Sequence, residues 1–359
     1  PSRECDCRGN AGGRKRAIGR RMPDKVCAYS GWLPLRDAHE DVADAMLTVR
    51  KDADAPSAVE VEGGSEYREA FRNGATLYPR LLTLVERKTL GRLGPDPSAP
   101  LIISRRISAE KKPWKDQVGI EHSVEAEFLR PVLLGESILP YRLFCLFEGV
   151  VPVNGDTMLD SSMAANPKRG FDKLAGWLKA AEALWDANKA EGSKLTWAEQ
   201  QNYNGKLVSQ FPIAPLRIVY AKAGSLPAAC LIRDERAVID HMLYWARPSS
   251  EVEGQYLCAV LNSETARSRA EQYQARGQFG ARHFDKVMFN LPIPLFKEGD
   301  SIHAKLAQAG AQAEEVAADV ELKEGEKFQR ARKRVRDALA EDGIGGEIEK
   351  LVEKLLGPV

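Results

Sequence analysis

The chain has 359 residues and a formal net charge of +1, and 43% of its residues are hydrophobic while 29% are charged. A chain of this length can bury a substantial core and accommodates about two domains. No apolar run approaches the roughly 18 residues that a membrane-spanning helix needs, and no secretory signal opens the chain. Since the chain is nearly neutral, any surface that binds a polyanion must be a local patch offset by acidic residues elsewhere.

Cysteine usage bears on metal binding and on the cellular compartment. The six cysteines are Cys5, Cys7, Cys27, Cys145, Cys230 and Cys258. The last three lie singly in apolar runs, where reduced core thiols are the usual state. The first three suggest partial zinc ligation, but no fourth ligand follows at a usual spacing. We therefore expect no metal site and a reducing, cytoplasmic location.

Two segments of opposite charge open the chain. Residues 1–30 are rich in glycine and arginine and offer almost nothing to bury, which predicts a flexible basic arm. Residues 31–66 are acidic and predict a partly ordered linker, with one short helix at residues 42–49. The first residue is Pro1 rather than methionine, and we expect a further segment upstream of it.

From residue 67 the pattern becomes one of short apolar runs separated by turns. The runs at residues 81–86 and 101–107 predict an antiparallel pair of strands. Further strands are predicted at residues 128–134, 141–152, 216–221, 228–232 and 241–246. An apolar stripe at helical spacing predicts one core helix, with Phe171, Leu174, Trp177, Leu178, Ala181, Leu184 and Trp185. Together these elements predict an α+β domain with a mixed, mostly antiparallel sheet and packed helices over residues 67–295.

Residues 296–359 predict a helical C-terminal region. Apolar residues recur at heptad spacing over residues 302–320, a strongly basic helix follows, and glycines from Gly343 separate it from a third helix. Helices of this kind need an apolar partner, and we expect them to pack within the chain.

A basic segment near residue 270 combines cations with rings, amides and glycines. Its candidate DNA contacts are Arg267, Arg269, Gln272, Arg276, Gln278, Phe279, Arg282, His283 and Lys286. Arginine and lysine neutralise phosphates, amides pair with bases, and rings stack or wedge. An amphipathic helix with a solvated basic face explains the same pattern.

Two upstream clusters share this composition. The first comprises Arg105, Arg106, Lys111, Lys112, Trp114 and Lys115, and the second comprises Tyr203, Asn204, Lys206 and Gln210. Cations of the first cluster suit phosphates, while the amides and ring of the second suit base edges and faces. A charged edge strand and a helix-to-strand loop are the structural alternatives.

Motifs in a fixed order resemble the TaqI-like specificity domain, the C-terminal target-recognition domain of adenine-N6 DNA methyltransferases in restriction–modification systems. One is "LxxxLNS" at residues 257–263, followed by a Gly/Arg/Phe loop at residues 276–284 and by "LPIP" at residues 291–294. The other is residues 128–142, similar to "hxPhhxGxxIxxYR" but with Glu136-Ser137 where many relatives carry Arg-Asp. The resemblance covers roughly residues 70–295.

The resemblance implies that the partner is double-stranded DNA and that this chain supplies sequence readout for adenine-N6 methylation. Such methylation needs a glycine loop for S-adenosylmethionine and an Asp/Asn-Pro-Pro-aromatic loop for the flipped adenine. This chain has no Pro-Pro pair and no strand–Gly-x-Gly–helix unit. We therefore assign it no catalytic residue and no cofactor, and we expect both in a linked or associated methyltransferase domain.

Two alternatives stay open. Asp96, Glu110 and Lys112 fit the loose Pro-Asp…Glu-x-Lys pattern of Mg²⁺-dependent nucleases. The second is a helical protein-interaction module, in which residues 296–359 dock a partner and the basic loops are only solvated surface.

Overall fold

The fold was taken from a computed structural model, which describes the backbone of residues 25–31 and 47–54 and the full structure of residues 64–88, 96–107, 110–223, 228–273, 286–323 and 325–357. The predicted α+β class is confirmed, since mostly antiparallel sheets pack with helices and a helical region ends the chain. No described helix has the length and apolar character that crossing a membrane requires.

The described strands are numbered in chain order. They are β1 (Lys25–Gly31), β2 (Leu47–Asp54), β3 (Arg72–Asn73), β4 (Leu84–Arg87), β5 (Leu101–Ser104), β6 (Glu121–Ser123), β7 (Leu129–Leu133), β8 (Ile138–Leu139), β9 (Arg142–Leu143), β10 (Phe147–Val150), β11 (Val153–Asn154), β12 (Thr157–Met158), β13 (Arg217–Ala221), β14 (Ala229–Ile232), β15 (Val238–Ile239) and β16 (Leu243–Ala246).

The described helices are numbered in the same way. They are α1 (Tyr67–Ala70), α2 (Ser161–Ala164), α3 (Asp172–Asn188), α4 (Trp197–Gln201), α5 (Glu251–Asn262), α6 (Glu264–Ala270), α7 (Ser301–Asp319), α8 (Phe328–Asp342) and α9 (Ile344–Leu356).

A six-stranded sheet forms one half of the fold, in the order β15-β7-β10-β4-β5-β6, with only the β15–β7 pair parallel. The predicted antiparallel pair is confirmed as β4 and β5. Strand β4 starts later than predicted because Arg80–Leu82 forms a 3-10 turn. The predicted core helix is α3, whose buried Trp177 and Leu178 pack on this sheet.

A four-stranded antiparallel sheet, β14-β13-β16-β3, forms the other half. Along β13, Ile218 and Tyr220 belong to the core under the helices, whereas Val219 and Ala221 belong to the core facing the other sheet. Both faces are therefore covered, which explains why residues 218–221 of this strand form an apolar run without polar alternation.

The C-terminal helices pack inside the chain, as predicted. Helix α7 lies against α5 so closely that Gly310 leaves no room for a side chain beside the Gln255 carbonyl group. Leu306, Val335 and Val352, one from each of the three helices, join α5 in a single apolar core. The apolar faces of helices α7, α8 and α9 are thus covered by the chain itself.

The N-terminal segments include a hairpin that the sequence did not predict. Strands β1 and β2 pair antiparallel, with Tyr29 opposite Val49 and Ser30 opposite Thr48. The helix predicted at residues 42–49 is therefore wrong at residues 47–49, where adjacent β-branched residues favour a strand. Strand β1 also begins within the predicted basic arm; residues 1–24 and 32–46 lie outside the described residues, and the domain boundaries stay predictions.

Candidate nucleic-acid interface

A groove of about 1280 Å³ separates helix α8 from the turns that flank the six-stranded sheet. Its lining includes five basic side chains, Arg80, Lys111, Arg332, Lys333 and Arg336, and three carboxyl groups, Glu110, Glu136 and Asp337. The rings of Tyr78 and Phe328 and the side chains of Gln329 and His241 complete its polar and aromatic surface. Its volume lies just above the roughly 300–1000 Å³ that small-molecule pockets have.

A buried carboxylate organises the floor of the groove. Asp240 is fully buried and accepts a hydrogen bond from the Met242 backbone N–H at 3.0 Å. His241 Nδ1 lies 3.0 Å from one carboxylate oxygen, and Arg80 Nη2 lies 3.5 Å from the other. A buried charge needs such partners, and in return it fixes the orientation of the imidazole and the guanidinium group in the groove.

The chain approaches this floor closely at Gly74. A Cβ atom on Gly74 would lie 2.3 Å from the Asp240 backbone oxygen, so only glycine fits. The neighbouring Asn73 donates to the His241 carbonyl oxygen at 2.7 Å and accepts from Lys206 Nζ at 3.1 Å. These contacts join the segment that contains Lys206 to the groove floor.

Helix α8 is fixed to the groove by one arginine. Arg332 donates to the carbonyl oxygens of Ile138 at 3.0 Å and Gly135 at 2.6 Å, and its guanidinium group lies 5.0 Å from the Phe328 ring centroid. Lys333, one residue on, has a side chain that is 76% exposed and paired with Asp337 at 2.6 Å. Exposed pairs of this kind contribute little to stability, so Lys333 can exchange this partner for a phosphate.

Glu110 forms part of the opposite wall and is only 9% exposed. Its burial raises the pKa of the carboxyl group, while the charge of Arg80 and the backbone N–H groups of Leu81 and Arg80 act in the other direction. Burial also raises the pKa of the Tyr78 hydroxyl group, and the charge of Glu110 adds to that effect. The ionisable groups of Glu110, Tyr78 and Arg80 therefore interact electrostatically in this wall.

The raised pKa predicts a pH-dependent stability difference between the wild type and Glu110→Gln. The folded protein holds the Glu110 proton more tightly than the unfolded chain does, so this residue's contribution falls as the pH rises above its usual pKa of 4.5. Glutamine lacks that proton. We expect the free energy of unfolding of the wild type, relative to the variant, to decline from about pH 4.5 towards neutrality. Urea denaturation of both proteins at several pH values measures it, and a difference independent of pH contradicts it.

The first predicted cluster lies on the loop after β5. Arg105 pairs with Glu86 at 3.3 Å, and its guanidinium group lies 4.7 Å from the Phe147 ring centroid. Arg106 is exposed and donates to the Lys115 carbonyl oxygen at 3.0 Å. The side chains of Lys111, Lys112 and Lys115 are exposed on the same loop, and Lys111 lines the groove.

Two predicted DNA contacts are interior residues in the structure. Trp114 is 4% exposed and stacks on Trp185, with 5.7 Å between the ring centroids. Gln210 is 1% exposed and exchanges two hydrogen bonds with the backbone of Ile239, at 2.8 and 2.9 Å. The Trp114 ring is packed in the core, and both the oxygen and the nitrogen of the Gln210 amide group are hydrogen-bonded. Neither side chain is exposed for contact with DNA.

The remaining members of the second cluster separate into two places. Lys206 reaches the groove floor through Asn73. Tyr203 and Asn204 are exposed and line a different surface cavity of about 560 Å³, together with Met158 and Met163. The structure therefore brings only Lys206 of this cluster towards the groove.

In its described residues, the third predicted segment mainly makes contacts within the protein. Arg267 pairs with Glu264 and with Glu271, Arg269 donates to the Gly357 carbonyl oxygen at 2.7 Å, and Lys286 donates to the Arg68 carbonyl oxygen at 2.8 Å. Gln272 is exposed. None of these four lines the groove. The other predicted contacts, Arg276, Gln278, Phe279, Arg282 and His283, lie outside the described residues.

The motif residues that carry the family resemblance belong to the scaffold. Asn262 exchanges hydrogen bonds of 2.9 Å with the backbone N–H and C=O of Ala229, and Ser263 caps helix α6. Ile293 is buried in the core, and Arg142 donates to the carbonyl oxygens that end helix α7. These motifs therefore identify how the chain folds and not which side chains meet a ligand.

The carboxylates of the nuclease pattern have different partners. Asp96 accepts from the backbone and hydroxyl groups of Ser98 and pairs with Lys173 at 3.3 Å, and these contacts lower its pKa to about 2. Glu110 instead faces Arg80 in the groove wall. Among the described residues, no group of three or more His, Cys, Asp or Glu side chains is arranged to hold a metal ion.

Sequence reasoning missed the groove-lining Arg80, His241, Gln329, Arg332 and Lys333. One signal pointed to part of this set, because residues 327–336 include six basic residues. Their relation to Lys111 depends on the packing of α8 against Gly135 and Ile138, which no local pattern encodes.

Comparisons with known proteins find matches among solved structures only. No protein-family model and no curated protein sequence matches this chain. Among solved structures, it is similar to the chain described as "Structure of Type IIL restriction-modification enzyme MmeI in complex with DNA has implications for engineering of new specificities", with a TM-score of 0.47 and 10% identity. The match covers 94% of this chain and 40% of that chain, so this chain spans less than half the length of its match. No conclusion about function follows from a likeness at this level.

Proposed function

We propose that this chain binds duplex DNA along the groove between helix α8 and the loop after β5. The observation that supports this most is that five basic side chains, Lys111, Arg80, Arg332, Lys333 and Arg336, line one groove of about 1280 Å³ and outnumber its three carboxyl groups, in a chain whose net charge is +1. Cations concentrated in this way neutralise phosphates, and nearby amides and rings offer contacts to bases.

The side chains divide into two sets in this proposal. Cations on the loop after β5 and on helix α8 contact phosphates: the half-buried Arg105 and the exposed Arg106, Lys111, Lys112, Lys115 and Lys333. Side chains held by hydrogen bonds deeper in the groove meet base edges, and Arg80 and His241 are the first of these because Asp240 orients both.

The more specific part of the proposal is that the chain provides sequence readout for an adenine-N6 DNA methyltransferase of a restriction–modification system. Its support is the resemblance of the ordered motifs at residues 128–142 and 257–294 to the TaqI-like specificity domain. In this proposal S-adenosylmethionine and the catalytic loop belong to a linked or associated methyltransferase domain. A cytoplasmic location is part of the same proposal, and Cys145, Cys230 and Cys258 are free thiols in accord with it.

The two alternatives have less support. Asp96 and Glu110 do not share partners, as the two-carboxylate metal site of a nuclease requires. For an interaction module, helices α7 to α9 would need uncovered apolar faces, but their buried residues already pack against α5.

A salt titration of duplex binding tests the proposal. Neutralising six to eight phosphates makes log K fall with log salt concentration at a slope of about −5 to −7. We expect this slope for the full chain on a random-sequence duplex, measured by filter binding or fluorescence anisotropy. Nicking of plasmid in Mg²⁺ would favour the nuclease alternative instead. A slope near zero, or no binding at low salt, would overturn the proposal.

A further inference from the structure

Glu110 has an unused hydrogen-bond acceptor in the wall of the groove. The residue is only 9% exposed, and its Oε1 atom has no hydrogen-bond partner among the described residues. An unpaired buried acceptor is costly, and a charged one more so. Sites that leave such an acceptor unpaired in the free protein are candidates for pairing with a ligand.

The surroundings of Glu110 restrict what that ligand can be. Its carboxyl group lies within the electrostatic influence of Arg80, and it lines the groove together with Tyr78. The positive guanidinium group opposes a bound cation, and no three-residue metal-ligating group exists among the described residues. A neutral hydrogen-bond donor is therefore the partner that suits this acceptor best. The terminal torsion of a glutamate side chain is soft, so a small rotation can expose Oε1 to the groove.

Among the groups that duplex DNA presents in its major groove, the exocyclic amino group of cytosine fits best. A carboxylate accepts from cytosine N4, whereas adenine is better matched by the combined donor and acceptor of an amide. The guanine of the same pair offers two acceptors to arginine. Glu110 and Arg80 both line the groove, and the charge of Arg80 acts on the Glu110 carboxyl group, so the two offer an acceptor and donors of the kinds that one G·C pair requires.

We propose that Glu110 is a specificity-determining residue that accepts a hydrogen bond from cytosine N4 and that, with Arg80 on the guanine, makes the groove select a G·C pair at one position. This inference rests on the proposed function, because it needs duplex DNA in the groove. It assigns a role in base selection to a residue whose charge would otherwise only weaken binding to phosphates.

Selection of binding sites from a random duplex library tests the inference with the full chain. The wild type should show one position that requires a G·C pair. In Glu110→Gln the preference for that pair should fall by about 5- to 150-fold, the range for loss of one good base contact. Preferences at the other positions should persist. Lys112→Gln is the matched control: it also replaces a charge by an amide on the same loop, but at an exposed phosphate-facing position, and should weaken binding about equally for all sequences.

Thermal unfolding of each variant checks folding first. If Glu110→Gln does not fold, Glu110→Asp keeps the charge but shortens the reach, and it should reduce the same G·C preference. An unchanged profile in the folded glutamine or aspartate variant overturns the inference while leaving duplex binding in place. Failure of the wild type to bind any duplex overturns the proposed function itself, and the two failures are therefore distinct.

Discussion

Replacing both Lys111 and Lys333 by glutamate is expected to weaken duplex binding by about 100-fold or more at roughly 0.1 M salt. The two lysines lie on opposite walls of the groove, one on the loop after β5 and one on helix α8. Each phosphate contact releases close to one counterion, which amounts to about tenfold in affinity at that salt concentration. Charge reversal also adds repulsion between glutamate and phosphate. The loss of affinity should therefore be at least the product of the losses for the two contacts.

The salt dependence separates this effect from misfolding. Loss of two phosphate contacts should make the slope of log K against log salt shallower by about 2. The pair of Lys333 with Asp337 is exposed, so the thermal stability of the double variant should change little.

Lys305→Glu provides the control for net charge. Lys305 is exposed on helix α7 and does not line the groove. It should leave affinity within a few-fold of the wild type, since the change removes no cation of the groove. Equal losses in Lys305→Glu and in the groove variants would mean that the chain binds DNA through its general charge and not through the groove.

Gly310→Ala is expected to destabilise the protein by about 2 kcal/mol, although alanine is the better helix former. The added Cβ would lie 2.3 Å from the Gln255 carbonyl oxygen and 3.0 Å from its carbonyl carbon. Both atoms belong to the backbone of α5, so helix α7 must move away and loosen the core that the two helices share. The midpoint of urea denaturation, followed by circular dichroism, measures this loss.

Gly346→Ala is the matched control within the same helical region. No atom outside the helix's own backbone lies within 4 Å of the Cβ position, and Gly346 is in the first turn of α9. The substitution should therefore stabilise the protein by about 0.4–1 kcal/mol through the unfolded chain. If both alanine variants shift the midpoint in the same direction, the close approach of α7 to α5 is contradicted.

Much of the fold follows from local patterns. Helix α3 and its buried tryptophans follow from apolar spacing, and the strands β13 and β14 follow from short apolar runs. The turn at Gly155, which has a φ of +61°, follows from the Asn-Gly-Asp sequence. These signals are local because each element buries a face that its own residues define.

The candidate site could be predicted only in part. The basic pattern of the loop after β5 selected Lys111, which lines the groove, but it also selected Lys112, which does not, and Trp114, which is buried in the core. Arg80 lies 160 residues before Asp240 in the sequence, and it meets His241 in the groove only because Asp240 binds both. Long-range packing of this kind decides which cations face a groove and which, like Arg269, hold a helix end.

Chemical acetylation of lysines with and without duplex DNA, read by mass spectrometry, locates the interface most directly. If DNA lies in the groove, Lys111 and Lys333 should be protected several-fold by a saturating duplex, while the exposed Lys305 and Lys354 on helices α7 and α9 should react as they do in the free protein. Protection of Lys305 and Lys354 with unchanged reactivity at Lys111 and Lys333 would contradict the groove as the DNA-binding site.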